Sequence, residues 1–333
     1  MNAPVPVVTV GLLLRVRPES LNVGLELLAG ENGLDRPILS PYVLKTGLAL
    51  AGFDAYLQPG RMLVFGDSEI GYLESLPPEA RRQSLARTLR HDIPCVLVTD
   101  GLAVPPELPD EAARAGVPVL RTRLSTPIAI AKVTSFLEDL LAERTLLHAV
   151  LMDILGLGVL IVGESGIGKS ECALDLILRG HRLVADDTVE IRRRAESVLI
   201  GTCPELTRYH MEIRGLGVIN VKDLFGVASA RSSKRVELVV QLERWESGRQ
   251  YERLGLDERF FEVLGLRVPL IQMPVAPGRS VATLVEVAAR NQLLRSRGLN
   301  AARRLAAKLD RHLRQGDADA QIQVEPADDV END

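Results

Sequence analysis

Val159-Leu160-Ile161-Val162-Gly163-Glu164-Ser165-Gly166-Ile167-Gly168-Lys169-Ser170 sets a short apolar run directly against the pattern G-x-x-x-x-G-K-[ST]. Four consecutive apolar residues read as a buried strand. The amphipathic segment 171–179 that follows reads as a helix, ended by Gly180 in the C′ position. Strand, glycine loop and helix together make an anion site. The glycines let backbone N–H groups approach phosphate oxygens, and the helix N-terminus adds partial positive charge. Gly163, Glu164, Ser165, Gly166, Ile167, Gly168, Lys169 and Ser170 are therefore expected to cradle nucleotide phosphates. Lys169 reaches the β and γ phosphates, and the Ser170 hydroxyl is free to ligate Mg²⁺.

Moving outward, His181-Arg182-Leu183-Val184-Ala185-Asp186-Asp187 reads as a short strand ending in paired carboxylates. A carboxylate beside a phosphate loop can bind Mg²⁺ or accept a proton from an attacking hydroxyl. A plain turn or helix cap is the other reading of Asp-Asp. The chain has no N-K-x-D guanine-reading motif and no L-S-G-G-Q signature.

The chain has 333 residues, 46% of them hydrophobic, which suggests two domains rather than one. The expected fold class is α/β: an N-terminal α/β domain over residues 1–130, a C-terminal phosphate-loop kinase domain over 131–315, and an acidic disordered tail over 316–333. Segments 7–14, 62–65, 93–99 and 117–120 read as strands. A helix near 111–115, closed by Gly116, would make a parallel β-α-β unit. Segment 127–143 reads as a helix joining the halves, and 283–315 as a helical segment interrupted near Gly298. The formal net charge of −4 gives no global basic field for nucleic acid. The N-terminus lacks a basic stretch before its apolar run, and segment 146–163 carries His148, Asp153 and glycines. Neither a signal peptide nor a membrane span is expected. Three scattered cysteines with no C-x-x-C pair fit a reducing compartment, so a cytoplasmic protein is expected.

The residues also carry a specific resemblance. The stretches LLHAVLMDILGLGVLIVGESGIGKSECALDLILRGHRLVADD, MEIRGLGVINVKDLFG, YERLG and MPVAPGR cover most of residues 145–290. In their order and spacing the chain resembles the HPr kinase/phosphorylase family. RPILSPYVLKTGLALAGF and VTDGLAVPPEL extend the resemblance more weakly into the N-terminal half. The resemblance implies two-way phosphoryl transfer, in a kinase domain like the nucleotide-binding core of phosphoenolpyruvate carboxykinase. ATP or pyrophosphate would phosphorylate a serine of the phosphocarrier protein HPr, and inorganic phosphate would remove that group as pyrophosphate. It also implies a homohexamer. Asp187 would take the serine proton and return it, while Ser170 and Glu212 would ligate Mg²⁺. His148, Lys169 and Arg253 would serve catalysis. Pro274, Val275, Ala276, Pro277, Gly278 and Arg279 would form a loop for dephosphorylation.

Each of these positions has a plainer reading. Glu212 could simply pair with Arg214, His148 could be a hydrogen-bonded core residue, and Arg279 could sit in a surface turn. A base that also returns its proton suits a raised pKa, which is expected for Asp187 through Asp186 or through burial. The family usually has glycine where this chain has Ala149, and a positive φ there would strain alanine. The basic segment from Arg295 to Arg314 could meet an acidic partner or be a solvated helix face. The alternatives are a small-molecule phosphate-loop kinase and a nucleotide-sensing regulator.

Overall fold

In a computed structural model of the chain, residues 7–15, 23–195, 197–246, 248, 257–276 and 278–322 are described, apart from the side chains of 310 and 313–322. The chain divides into two compact units, one holding Asn2–Arg144 and Arg194–Glu196, the other Thr145–Arg193 and the residues from Ser197 on.

The N-terminal unit is built on five strands: β1 (Glu26–Ala29), β2 (Leu44–Lys45), β3 (Leu63–Phe65), β4 (Val96–Val98) and β5 (Val119–Arg121), in the order β1-β5-β4-β3-β2. β2 to β5 are parallel and β1 is antiparallel at the edge. β3 and β4 are apolar at every position because both faces are covered. Val96 and Val98 pack with Leu73, Leu85 and Leu108 from helices Asp67–Ser75, Pro78–Leu89 and Glu107–Ala115. Leu97 points the other way, to Ala129, Val133 and Leu137 of helix Thr126–Leu141. That packing places the helix with the first unit, which extends to Arg144, beyond residue 130. The expected β-α-β unit is present: Gly116 caps Glu107–Ala115 at φ 61°, and β4 runs parallel to β5.

The first expected strand is a correction. Val10–Arg15 is a helix, and only Thr9 bridges Pro37 in extended form. Val10 and Leu13 are buried at helical spacing, while Val10 N and Gly11 N donate to the carbonyls of Arg36 and Leu34. A short all-apolar run carries no period, so tertiary burial decides its conformation.

The C-terminal unit holds strands β6 (Arg144–His148), β7 (Val150–Ile154), β8 (Leu157–Gly163), β9 (Arg182–Ala185), β10 (Thr188–Arg194), β11 (Val198–Thr202), β12 (His210–Ile213), β13 (Gly217–Asn220), β14 (Ser233–Arg235), β15 (Leu238–Arg244), β16 (Arg259–Val263) and β17 (Leu266–Val275). They form a six-stranded sheet ordered β16-β17-β15-β8-β7-β9, a four-stranded sheet ordered β14-β11-β10-β6, and the hairpin β12-β13. Alternate residues of β8 face opposite ways. Val159 and Ile161 pack against helices Lys169–Leu178 and Val281–Ser296, and Leu160 packs against the second sheet through Val189, Ile191 and Leu199. β8, β15 and β17 are parallel, with Gly163 beside Leu242 and Leu242 beside Met273, so their carboxyl ends share one edge. In open α/β sheets this is the edge where ligands bind.

Ser280 caps Val281–Ser296, Gly298 turns at φ 80°, and a second helix runs Ala301–Ile322. The segment expected to be a disordered tail thus begins inside a helix. Residues 316–322 are helical, and 323–333 lie outside the described residues. Cys95, Cys172 and Cys203 are free and buried, and burial raises all three thiol pKa values. Among the described residues no helix is long and apolar enough to cross a membrane.

Two glycines test the packing in opposite directions. A Cβ at Gly158 would collide with the carbonyl oxygen of Arg235, whereas one at Gly71, inside helix Asp67–Ser75, would meet nothing within 4 Å. Gly158→Ala is expected to cost about 3 kcal/mol or more. Gly71→Ala is expected to gain about 1 kcal/mol, since alanine is the better helix former. Urea unfolding of both variants measures the two signs.

Candidate active site

β8 delivers the glycine loop to the carboxyl edge of the parallel strands, and helix Lys169–Leu178 leads away from it. Gly166 and Gly168 take φ 79° and 101°, a region that glycine enters without strain. Ile167 anchors the loop in the core beneath. The loop of the sequence reading is therefore a formed turn between strand and helix.

Lys169 is only 6% exposed. Its ammonium donates to the carbonyl oxygens of Gly163 (2.9 Å) and Glu164 (3.0 Å), and lies 3.2 Å from His148 Nε2. Desolvation lowers its pKa, opposed by the carboxylates of Asp187, Asp186 and Glu171. On the far side of the ring, His148 Nδ1 lies 3.0 Å from Asp187 Oδ1. With the ammonium donating to Nε2, the ring proton belongs on Nδ1, aimed at the carboxylate. Lys169, His148 and Asp187 form one connected line.

Topology brings these residues together. Between β6 and β7 the chain leaves one sheet for the other at His148-Ala149, and between β9 and β10 it does so again at Asp186-Asp187. The two crossings are joined by Ala149 N donating to Asp187 O at 3.1 Å. The positive φ falls on Asp187, at 64°, and Ala149 does not share it. Alanine is thus accommodated where the family usually has glycine.

The two carboxylates differ. Asp187 is 70% exposed on its side chain. Asp186 is only 4% exposed and accepts from Ser170 Oγ (2.9 Å) and from Glu212 N (3.4 Å). Burial raises the pKa of Asp186, against the hydrogen bonds from Ser170 and the backbone. Of the two carboxylates, Asp186 is the buried one.

Glu212 lies on β12 with an exposed side chain, while Met211 and Ile213 on either side are buried. Its backbone is tied to Asp186, which puts Ser170, Asp186 and Glu212 in one neighbourhood. Hydroxyl and carboxylate oxygens suit Mg²⁺, which commonly takes one or two protein ligands and completes its shell with phosphates and water. Among the described residues no three His, Cys, Asp or Glu gather into a group that could hold a metal ion. Arg214 makes no ion pair with Glu212. Its guanidinium lies over Gly166, where an added Cβ would sit 2.8 Å from Nη1. The ion pair with Glu212 open to Arg214 from the sequence is thus not formed.

Arg253 and Pro277 lie outside the described residues. Pro274 and Val275 end β17, Gly278 turns at φ 82°, and Arg279 N donates to Ala276 O.

A strand-loop-helix turn flanked by a histidine and carboxylates is the arrangement expected of a phosphotransfer site, and two family models span the chain. The HPr Serine kinase N terminus matches residues 16–137, and the HPr Serine kinase C-terminal domain matches 139–309. The HPr kinase/phosphorylase of Bacillus licheniformis is 47% identical over 285 residues, covering 86% of this chain and 92% of that protein. That of Geobacter sulfurreducens is 44% identical over 303 residues, covering 90% and 95%. The solved HPr(Ser) kinase/phosphatase of Coxiella burnetii is 37% identical, covering 46% of this chain and 93% of that one with a TM-score of 0.43. The chain belongs to the HPr kinase/phosphorylase family, and is a phosphotransferase.

Asp186 generates a pH prediction. A carboxyl whose folded pKa lies above its unfolded value of 3.8 lowers stability as pH rises through the folded pKa. Below 3.8 the penalty vanishes, because both states are protonated. Asp186→Asn lacks the titration, so its melting temperature relative to wild type should be higher at pH 8 than at pH 4. Calorimetry across that range checks it; a difference that grows toward acid pH rejects the account.

Proposed function

We propose that the protein transfers a phosphoryl group from ATP or pyrophosphate to a serine of HPr, and removes it by phosphorolysis. In the forward direction the serine oxygen bonds phosphorus, and the bond from that phosphorus to the leaving ADP, or phosphate when pyrophosphate is the donor, breaks. In reverse, inorganic phosphate attacks phosphoserine and leaves as pyrophosphate, restoring the hydroxyl. The carrying observation is family membership over both halves of the chain.

The site geometry and the family resemblance support the following roles. The loop from Gly163 to Ser170 binds the donor phosphates. Asp187 accepts the serine proton and returns it in the reverse direction, as microscopic reversibility requires. Its exposure suits contact with a protein substrate, and its link to His148 orients it. His148 also couples the base to Lys169, whose ammonium faces the phosphate loop. Ser170 and Glu212 would hold Mg²⁺, which when bound neutralises phosphate charge. Arg253 binds a phosphoryl oxygen, and Pro274 to Arg279 serve dephosphorylation. The C-terminal domain is a phosphate-loop kinase core like that of phosphoenolpyruvate carboxykinase. The protein works as a cytoplasmic homohexamer, without nucleic acid or membrane.

Purified protein with Mg-ATP and HPr should yield phosphoserine by intact mass, and added phosphate should reverse it with pyrophosphate release. Asp187→Asn should cut both rates by roughly 10²- to 10⁴-fold, the usual contribution of a positioned base. Lys169→Ala should be at least as damaging. ATP turnover that ignores HPr would point instead to a small acceptor.

A further inference from the structure

We infer that Arg214 is a second cation of the phosphate site and clamps the phosphate chain of the donor. This rests on the phosphotransfer reading above and adds to it a residue placed by geometry. The guanidinium turns its two terminal nitrogens toward Gly166 of the glycine loop. A Cβ built on Gly166 would be 2.8 Å from Arg214 Nη1, 3.0 Å from Nη2 and 3.2 Å from Cζ. Gly166 takes φ 79°, a conformation that glycine enters without strain, and its missing side chain leaves the guanidinium room beside the loop.

The arginine is held there by its own hairpin. Met211 and Ile213 on β12, with Ile219 on β13, pack into the same apolar cluster as Ile167 of the loop. Glycines at 215 and 217 with φ 84° and 92° turn the chain immediately after Arg214. Rigid anchoring on both sides thus fixes the base of the side chain relative to the loop, while its head is exposed.

The charge has nothing to neutralise it. Glu212 is two residues away and does not pair with it, and no hydrogen bond or ion pair engages Arg214 among the described residues. Lys169 is differently placed: its ammonium is already engaged by Gly163 O, Glu164 O and His148. A phosphate chain entering the loop meets one cation committed to the loop's own carbonyls and one uncommitted planar fork. The fork suits two oxygens of a polyphosphate at once.

Pyrophosphate isolates the claim, because it consists of the phosphate chain alone and binds without HPr. Calorimetry on the full-length chain with Mg²⁺ should find Arg214→Met about 10- to 100-fold weaker for pyrophosphate, the worth of a charged hydrogen-bonded contact. Its melting temperature should match wild type. Arg214→Lys should recover only part of the affinity, because a point charge lacks the fork. Arg214→Ala should bind more tightly when sub-denaturing guanidinium is added. Equal pyrophosphate affinity in wild type and Arg214→Met overturns the inference, as does wild-type protein that binds no pyrophosphate. A loss that tracks lowered thermal stability and resists guanidinium also overturns it. The result stands apart from transfer to HPr, so failure of the proposed acceptor leaves this contact decidable.

Discussion

One buried carboxylate ties the site together. Asp186 takes a hydroxyl from Ser170 at the head of the loop helix and an N–H from Glu212 on the hairpin. Its own backbone sits at the crossing between the two sheets. Three segments far apart in sequence are thereby referred to one pair of oxygens. Keeping a carboxylate out of water costs free energy, shown by its raised pKa. That cost is tolerated where the group organises its surroundings, and here it ties the head of the loop helix to the hairpin. Asp187, one residue on, is left to face outward.

The crossing points explain why Lys169, His148 and Asp187 converge. Strands on neighbouring sheets must exchange chain somewhere, and this unit makes two exchanges side by side, joined by a backbone hydrogen bond from Ala149 to Asp187. Each exchange presents a polar side chain at the seam: His148 from one, Asp187 from the other. The glycine loop ends β8 on the same sheet, so Lys169 completes the line. The positive φ of Asp187 is part of this bend, and a short polar side chain tolerates it better than most.

Much of this was legible before any coordinates. The turn between β8 and its helix announces itself through glycine spacing, because Gly166 and Gly168 are there for a backbone reason, a positive φ. The parallel strands of the first unit were readable from apolar runs closed by Asp100-Gly101 and Gly116, residues that turn the chain. What escaped was decided by distant partners. Val10–Arg15 became a helix because its buried face and its N–H groups found Leu34 and Arg36. Thr126–Leu141 joined the first core because Ala129, Val133 and Leu137 fit there. No local signal says that Asp186 rather than Asp187 is buried, since the two are chemically identical and only the turn geometry separates them. Arg214 was visible as a residue but not as a neighbour of Gly166, which lies 48 positions earlier in the chain.

The three cysteines carry a practical consequence. All are buried, and their thiols are held in the protonated, unreactive form by the surrounding apolar packing. The folded protein therefore supplies its own silent background for maleimide chemistry. A cysteine introduced on an exposed position, such as the outer face of the hairpin, becomes the one handle a fluorophore or spin label can find, without first stripping the native thiols from the core.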